Sequence, residues 1–497
     1  MGLDPRTPVI VGVGQVNQRD ESPDTEPVDL MAAAAREAAD PRVLAAVDSV
    51  RVVNLLSWRY RDPGLLLGRL IGAPDAATQY TGIGGNTPQS LVNQTCLDIQ
   101  QGRAGVVLLA GGETWRTRMR LRARGIRPNW TRQDDSVAVP PGSGADVPMA
   151  GPAEERIGLD RPSFVYPLFE QSLRISAGES SAEHQRRIGE LWAGFSAVAA
   201  DNPHAWVRQG LSAEQIAAVG PENRMISWPY PKLMNSNNMV DQAAALILCS
   251  AQMAEYLQIP GDSWVFPHAG TDSHDTYLIG ERAELHRSPA IRIGGRRVLE
   301  LADLGADDID HVDLYSCFPS AVQVAAGELG LPAGRPLTVT GGLTFAGGPW
   351  NNYVMHSIAT MAEVLRAQPG TRGLITANGG YLTKHSFGVY STTPPATPFR
   401  WEDVQAEVDR EPTRTAHVEW EGVGSVEAWT VPFDRDGTPE KAFVAVRTPD
   451  GGRALALIDD ADAAAATVAE DIAGAEVRVS ADGRAEVVSA GARRPTT

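Results

Sequence analysis

The chain has 497 residues, 43% of them hydrophobic, and a formal net charge of −17 at pH 7. A chain of this length and apolar content buries a large core and predicts two or three domains, which excludes a disordered or fibrous protein. Its acidic balance disfavours nucleic acid as a partner, because a negative surface repels phosphate backbones.

Strand and helix signals alternate from the beginning of the chain. The apolar runs 9–14 and 106–110 each predict a buried strand. Regularity fails beyond Trp115, and core-like character resumes near Asn235. This pattern predicts a parallel sheet covered by helices, in which residues 1–114 and 235–262 form one α/β half and residues 115–234 form a loop insertion.

A second α/β half is predicted over residues 263–395, with a strand at residues 311–315. Composition changes after Pro394-Pro395, where short alternating runs are separated by Asp-Gly pairs, as at Asp436-Gly437. Asp-Gly between alternating apolar residues is a hairpin signal. Residues 400–490 are therefore predicted to form a small antiparallel β-barrel-like domain.

One glycine-rich segment carries a family resemblance. Residues 341–349 (GGLTFAGGP) resemble the GGxxxxGHP loop of thiolases, particularly the sterol-carrier-protein-type thiolases, with Gly348 in place of histidine. The strand at residues 9–14 and the loop Ala377-Asn378-Gly379-Gly380 support this resemblance. It implies a thiolase fold of two similar α/β halves layered αβαβα, membership of the acetyl-CoA acetyltransferase family, a coenzyme A thioester as ligand, and a homodimer.

The residues that thiolases use for catalysis are mostly replaced. The resemblance aligns Gly85 with the nucleophilic cysteine, which a thiolase needs as a thiolate to hold the acyl group. The HDCF motif of the sterol-carrier type reads Tyr315-Ser316-Cys317-Phe318 here. Cys317 either lines the site in a chemical role or is a buried thiol, and Tyr315 either exchanges protons with a ligand or packs in the core. His356 either replaces the lost histidine or sits inside its helix and bonds a neighbour.

Residues that would bind the ligand are predicted from the same loops. The predicted binding residues are Gly341, Gly342, Gly348, Asn378, Gly379, Gly380, Arg116 and Arg118. Both arginines belong to a basic stretch, residues 116–127, which either clamps the CoA phosphates or forms a solvated or acid-paired face. His268 and His274 alternate with Asp272 and Asp275, but without an evident third ligand no metal site is predicted.

Cysteine content and the apolar runs bear on the location of the protein. Cys96, Cys249 and Cys317 are widely spaced and form no CxxC pair, which disfavours a disulfide framework and fits a reducing cytosol. The residues after Met1 form no signal-like segment, and no apolar run approaches the ~20 residues that span a bilayer. A soluble cytoplasmic protein without membrane contact is expected.

Three functional hypotheses follow from the missing nucleophile. The first is an acyl-CoA-binding protein or acyltransferase of lipid metabolism in the thiolase family, with doubtful thiolase activity. The second is a thiolase-like retro-aldolase on 3-hydroxyacyl-CoA, with Tyr315 as base. The third is a non-enzymatic scaffold or regulator that keeps the fold alone. For the C-terminal domain a lid, a stabilising appendage and a protein-docking module are all open.

Overall fold

The structure is a computed structural model and describes residues 3–142, 147–332 and 334–489. Its strands are, in chain order, β1 (Pro8–Asn17), β2 (Ser49–Val52), β3 (Ala77–Tyr80), β4 (Val106–Thr114), β5 (Met225–Trp228), β6 (Tyr230–Pro231), β7 (Asp241–Ser250), β8 (Phe266–His274), β9 (His311–Asp313), β10 (Arg372–Gly379), β11 (Lys384–Ser391), β12 (Arg400–Asp403), β13 (Ala416–His417), β14 (Gly422–Pro432), β15 (Ala442–Arg447), β16 (Arg453–Ile458), β17 (Glu476–Val479) and β18 (Ala485–Ser489).

The helices mostly cover the faces of these sheets. They are, in chain order, α1 (Pro27–Ala38), α2 (Pro41–Ala45), α3 (Pro63–Ile71), α4 (Thr87–Gln100), α5 (Trp115–Ala123), α6 (Pro152–Ile157), α7 (Pro162–Ala177), α8 (Ser181–Asp201), α9 (Ala213–Ala217), α10 (Ala251–Tyr256), α11 (Pro289–Leu301), α12 (Pro319–Glu328), α13 (Gly342–Phe345), α14 (Tyr353–Ala367), α15 (Gln405–Val408) and α16 (Ala461–Ala469). In the described part of the chain, no helix is long and apolar enough to cross a membrane.

Two five-stranded sheets form the two halves. The first has the order β1-β7-β4-β2-β3, and the second has the order β12-β8-β11-β10-β9. Both sheets are mixed, which corrects the prediction of a parallel sheet: in the first, β2 runs parallel to β3 and β4, while β7 is antiparallel to β1 and β4. The strand β7 follows the insertion, and this long connection lets it return in the opposite direction.

The helices complete five layers. Helices α1 and α3 pack on the outer face of the first sheet, α4 and α14 pack between the two sheets, and α11 packs on the outer face of the second. Because α4 is covered on both sides, its polar side chains pair internally, as where Gln89 Nε2 donates to Asn93 Oδ1 at 2.9 Å. The predicted thiolase fold, layered αβαβα, is confirmed.

The insertion and the C-terminal strands share a third sheet. Its main order is β13-β16-β15-β14-β17-β18, and β5 of the insertion pairs with β14, with Trp228 opposite Val431. One isolated bridge joins Leu457 to Arg484. Within the described residues the predicted C-terminal β domain is a sheet that does not close into a barrel; residue 490 lies outside the described ranges.

The start of the C-terminal domain also differs from the prediction. Strand β12, Arg400–Asp403, runs parallel to β8 and so belongs to the second sheet of the thiolase fold. Phe399, the residue just before this strand, is buried in the core of the thiolase fold. The C-terminal domain therefore begins after this strand.

Candidate functional site

Elements from both halves converge at one edge of the second sheet. Strands β9 and β10 are parallel neighbours, so the segments that follow them meet at the same edge. Tyr315 and Cys317 follow β9, and Asn378 lies at the end of β10. Gly85, just before α4, faces them from the first half. The structure thus brings together four positions that the sequence resemblance placed in one site.

The phenol of Tyr315 occupies the place of a side chain at residue 85. A Cβ on Gly85 would lie 2.9 Å from Cζ of Tyr315, and closer still to the Tyr315 hydroxyl and the carbonyl oxygen of Asn378. The ring of Tyr315 packs edge-on against Tyr353 at 5.6 Å, and its backbone N–H donates to Thr376 Oγ1 at 2.9 Å. The position of the thiolase nucleophile therefore holds no side chain of its own and is filled by a tyrosine.

The Tyr315 hydroxyl is a neutral hydrogen-bond donor. Burial raises the pKa of Tyr315 above its usual value, and the nearby Cys317 raises it further. Among the described residues the hydroxyl has no hydrogen-bond partner, although the residue is only 9% exposed. A buried hydroxyl normally finds an acceptor, so this donor is available to a ligand. The raised pKa keeps the phenol protonated at neutral pH, so that it acts there as a hydrogen-bond donor.

Cys317 is also held neutral. Burial raises the pKa of its thiol to about 12. Asn378 Nδ2 lies 3.9 Å from its sulfur, and Ser236 Oγ donates to its carbonyl at 3.0 Å. Since the thiolate is the reactive form, Cys317 is a weak nucleophile here. Cys96 and Cys249 are fully buried in the core.

Tyr166 of α7 joins the site without having been predicted. Its hydroxyl accepts hydrogen bonds from Asn378 Nδ2 at 2.9 Å and from the backbone N–H of Leu382 at 2.8 Å, and it donates to the Gly380 carbonyl at 3.3 Å. Its ring stacks on Phe318 at 4.5 Å. Tyr166 therefore fixes Asn378 and the Gly380 turn, and no local sequence pattern marks it.

Two further amide oxygens in the site lack partners. Asn378 Oδ1 and Asn86 Oδ1 are buried and have no hydrogen-bond partner among the described residues. The Asn86 oxygen lies close to where a Cβ on Gly379 would be. Together with the Tyr315 hydroxyl, these atoms give the site three polar groups without partners among the described residues, an arrangement that suits a polar ligand.

Hydrogen bonds to neighbouring segments of the protein hold the glycine loop, residues 341–349. The N–H groups of Gly341 and Gly342 donate to Thr338 Oγ1 and Thr340 Oγ1 at 2.9 and 3.0 Å, so neither faces a ligand. Gly347 has φ 110° and abuts Gln242, so only glycine fits there. At Gly348 the nearest atom to an added Cβ is 3.4 Å away, so the loss of histidine is not forced by space.

His356 lies apart from Tyr315 and Cys317. Its Nδ1 hydrogen-bonds Gln15 Oε1 of β1 at 3.0 Å. Burial, with a smaller effect from His204, lowers the pKa of His356 to about 3, so its imidazole is neutral. The alternative that His356 sits inside its helix and bonds a neighbour fits this arrangement, with Gln15 of β1 as the neighbour.

The four polar residues near β8 serve the packing of the second sheet. His268 bonds the Thr393 carbonyl, His274 the Asp275 carbonyl, Asp272 the amide of Asn93, and Asp275 the hydroxyl of Ser288. Within the described ranges, no three His, Cys, Asp or Glu residues are placed to hold a metal ion.

Arg116 and Arg118, which were predicted to bind the CoA phosphates, donate hydrogen bonds to backbone carbonyls. Arg116 Nη1 donates to the Arg19 carbonyl at 2.8 Å, and Arg118 Nη1 donates to the Leu56 carbonyl at 2.8 Å. Arg124 pairs with Glu21. The basic stretch therefore serves partly to fasten α5, and the ligand roles of Arg116 and Arg118 stay predictions.

Comparison with known proteins places this site in a family. A sequence model described as "Thiolase-like protein type 1 additional C-terminal domain" matches residues 403–484. The crystal structure of a monomeric SCP2-thiolase-like protein type 1 from Mycobacterium smegmatis shares 33% identity and a TM-score of 0.82, covering 98% of this chain and 100% of that chain.

Two other proteins are more distant. An acetyl-CoA acetyltransferase from Methanothermobacter thermautotrophicus is 27% identical over 208 residues, so the chain spans about half (51%) of that relative's length. The structure of an Ltp2-ChsH2(DUF35) aldolase has a TM-score of 0.59 at 19% identity and covers 78% of this chain and 98% of that one, which is a likeness of fold alone. On the strength of the M. smegmatis relative, which is matched over its full length, the chain belongs to the SCP2-thiolase-like protein type 1 family of the thiolase superfamily and carries the additional C-terminal domain.

Proposed function

We propose that this protein binds CoA thioesters at the Tyr315 site and holds the thioester without forming an acyl-enzyme. The observation that carries the proposal is the Tyr315 phenol, which fills the side-chain position of Gly85 and whose hydroxyl has no hydrogen-bond partner among the described residues. Thiolase chemistry needs a thiolate at that position. A neutral phenol there donates a hydrogen bond instead.

The thioester carbonyl is the natural acceptor for this donor. A hydrogen bond from Tyr315 would polarise the carbonyl, in the manner of an oxyanion-hole donor, without covalent chemistry. The ligand class is supported by the family and by the name of the acetyl-CoA acetyltransferase relative, of which the chain spans about half. With the Cys317 thiol neutral, acyl transfer to this cysteine would be slow.

Replacement of Tyr315 by phenylalanine is expected to weaken acetyl-CoA binding about three- to tenfold, because one hydrogen bond to the carbonyl is lost. Binding of free CoA is expected to change little, since CoA has no carbonyl next to its sulfur. Calorimetry of both ligands with wild type and Tyr315→Phe measures the difference.

Free CoA serves as the control ligand for acetyl-CoA in this experiment. Equal weakening of CoA and acetyl-CoA would mean that Tyr315 supports the site only by packing. If wild type binds neither ligand, the acyl-CoA proposal fails and the scaffold hypothesis takes its place.

A second candidate, retro-aldol cleavage of a 3-hydroxyacyl-CoA, is favoured by the same phenol, because this reaction needs no acyl-enzyme. Tyr315 as phenolate would take the β-hydroxyl proton, the Cα–Cβ bond would break to give a carbonyl product, and its electron pair would form the thioester enolate, which is then protonated at Cα. Because burial raises the Tyr315 pKa, the rate would rise with pH. A search for the carbonyl product decides between this candidate and simple binding.

Oligomeric state and location also remain proposals. The M. smegmatis relative is described as monomeric, which supports a monomer here in place of the homodimer expected from the wider family. The name of the aldolase structure, Ltp2-ChsH2(DUF35), gives two components. This supports the hypothesis that the C-terminal domain binds a protein partner. The cytoplasmic location stays a prediction.

A further inference from the structure

A cavity lies at the junction between the second thiolase half and the C-terminal domain. It has a volume of about 220 Å³ and is lined by residues between 275 and 292, by Glu328 at the end of α12, and by residues between 408 and 413. The last of these three walls falls within the additional C-terminal domain, so the two thiolase halves alone would not enclose the cavity. Junctions between domains are common sites for small ligands.

Most of the charges in the lining are already paired. Three arginines and four acidic residues line the cavity. Three of the acidic side chains lie in close ion pairs, which are Arg287 with Glu328 at 2.6 Å, Arg292 with Glu411 at 2.7 Å, and Glu284 with Arg414 at 2.6 Å. Arg282 and Asp275 are the two charged lining residues outside these pairs.

Arg282 is buried with part of its hydrogen-bonding capacity unused. The residue is 4% exposed. Its Nη2 donates to the carbonyls of Tyr381, at 3.0 Å, and Leu382. Among the described residues, Nε and Nη1 have no hydrogen-bond partner. An arginine side chain has five N–H donors, so three of them have no acceptor in the described part of the chain. Buried donors are normally paired, and these three are available to a ligand.

Asp275 balances the charge of Arg282 only from a distance. Its Oδ2 lies 3.9 Å from Nη1 of Arg282, which is too far for a hydrogen bond. The carboxylate is held by Ser288 Oγ, which donates to Oδ2, and by the backbone N–H of Ala290, which donates to Oδ1 at 3.1 Å. Burial lowers the pKa of Arg282, because a desolvated cation is costly. An anionic acceptor in the cavity would offset that cost.

We propose that this cavity binds a small monocarboxylate, whose oxygens accept hydrogen bonds from Nε and Nη1 of Arg282. Charge-assisted hydrogen bonds between guanidinium and carboxylate groups are among the strong ones in proteins. A single negative charge fits best, because four acidic side chains line the same cavity and would repel a dianion. The proposal does not depend on the thioester site at Tyr315.

The rest of the lining suits a short carbon chain. Ala283, Pro289, Val408 and Pro412 give the cavity an apolar part beside its charges. Contact with these side chains would remove the alkyl part of the ligand from water, which favours binding. A carboxylate with a few carbon atoms, such as butyrate, therefore combines the two kinds of contact that the cavity offers.

Calorimetry on the full chain with butyrate tests the proposal, with butyramide as the uncharged ligand of the same shape and inorganic phosphate as the more highly charged anion. Wild type is expected to bind butyrate at least about tenfold more tightly than either of the others. In Arg282→Gln the Kd for butyrate is expected to rise at least about tenfold. The matched control is Arg296→Gln, which removes an exposed positive charge of α11 outside the cavity and should leave this Kd unchanged.

A crystal structure of wild type with butyrate provides a second measurement, since Arg282→Gln also loses the bonds to Tyr381 and Leu382 and could fail to fold. A butyrate oxygen within about 3.2 Å of Arg282 Nε or Nη1 would support the proposal, and a cavity that holds only water would overturn it. Equal butyrate affinity in Arg282→Gln and Arg296→Gln would overturn it too. Butyramide or phosphate that binds as tightly as butyrate would show that the ligand is not a monocarboxylate.

Discussion

Replacement of Arg453 by methionine is expected to destabilise the attachment of the C-terminal domain by about 3 to 5 kcal/mol, the usual cost of breaking a buried ion pair. The Arg453 side chain is fully buried, and its Nε and Nη2 bind Glu427 at 2.7 and 2.8 Å. Its Nη1 donates to the carbonyls of Ile279, Gly280 and Arg282 in the second thiolase half. The variant removes both Arg453 hydrogen bonds to the Glu427 carboxylate, which keeps only Arg447 as a partner, and the Arg453 hydrogen bonds to the three carbonyls.

Urea unfolding followed by tryptophan fluorescence measures this effect, since Trp429 of the C-terminal domain stacks on Trp228 of the insertion at 5.3 Å. The matched control is Arg447→Met, because Arg447 binds the same Glu427 at 2.8 Å but its side chain is 29% exposed. We expect the control to lose less than about 1 kcal/mol. Similar losses in both variants would show that Arg453 does not fasten the domain.

Alanine at position 85 is expected to lower the free energy of unfolding by about 2 to 3 kcal/mol, because an inserted methyl group has no room. The new Cβ would overlap the Tyr315 hydroxyl and the Asn378 carbonyl oxygen, and the carbonyl belongs to the backbone of β10. Adding Tyr315→Phe removes one of the two overlapping atoms and is expected to recover part of the loss. Chemical denaturation of the single and double variants measures both effects.

Gly194→Ala provides the control for the substitution itself. Gly194 lies on the exposed face of α8, and no atom lies within 4 Å of an added Cβ. Alanine there is expected to stabilise the helix by up to about 1 kcal/mol. A Gly85→Ala variant as stable as Gly194→Ala would show that position 85 has room for a side chain. The conclusion that the Tyr315 ring fills this space would then be wrong.

The backbone of the site could be predicted from sequence because it is carried by local patterns. Residues 341–349 have glycine where the backbone adopts a positive φ that other residues rarely adopt, as at Gly347. The family resemblance that this loop carries then located Gly85, Tyr315 and Asn378. What sequence could not show is that the Tyr315 ring enters the space of residue 85. That contact joins residues 230 positions apart, and only the packing of α4 against the second sheet creates it.

Helix geometry explains the outcome for the basic stretch. Its arginines recur at every second residue, and on a helix such neighbours point to opposite sides. Arg116 and Arg120 therefore share one side of α5, while Arg118 turns to the Leu56 carbonyl. The alternating sequence pattern suggested that all these arginines bind one ligand, but the helix places them on two different faces.

The C-terminal domain shows a similar limit. The Asp-Gly pairs predicted hairpins, and β14 and β15, which flank Asp436-Gly437, do pair as antiparallel neighbours. The pairing of β14 with β5, about 200 residues away, leaves no local signal, and neither does the pairing of β12 with β8. Long-range strand pairing thus decided both the sheet architecture and the start of the domain.

Mass spectrometry of the protein with acetyl-CoA, recorded first under native and then under denaturing conditions, tests the central claim most directly. We predict a complex with intact acetyl-CoA under native conditions and an unmodified chain after denaturation, because the thiol of Cys317 is held neutral and position 85 has no nucleophile. An acetyl group that stays on the chain after denaturation, mapped to Cys317, would contradict the account.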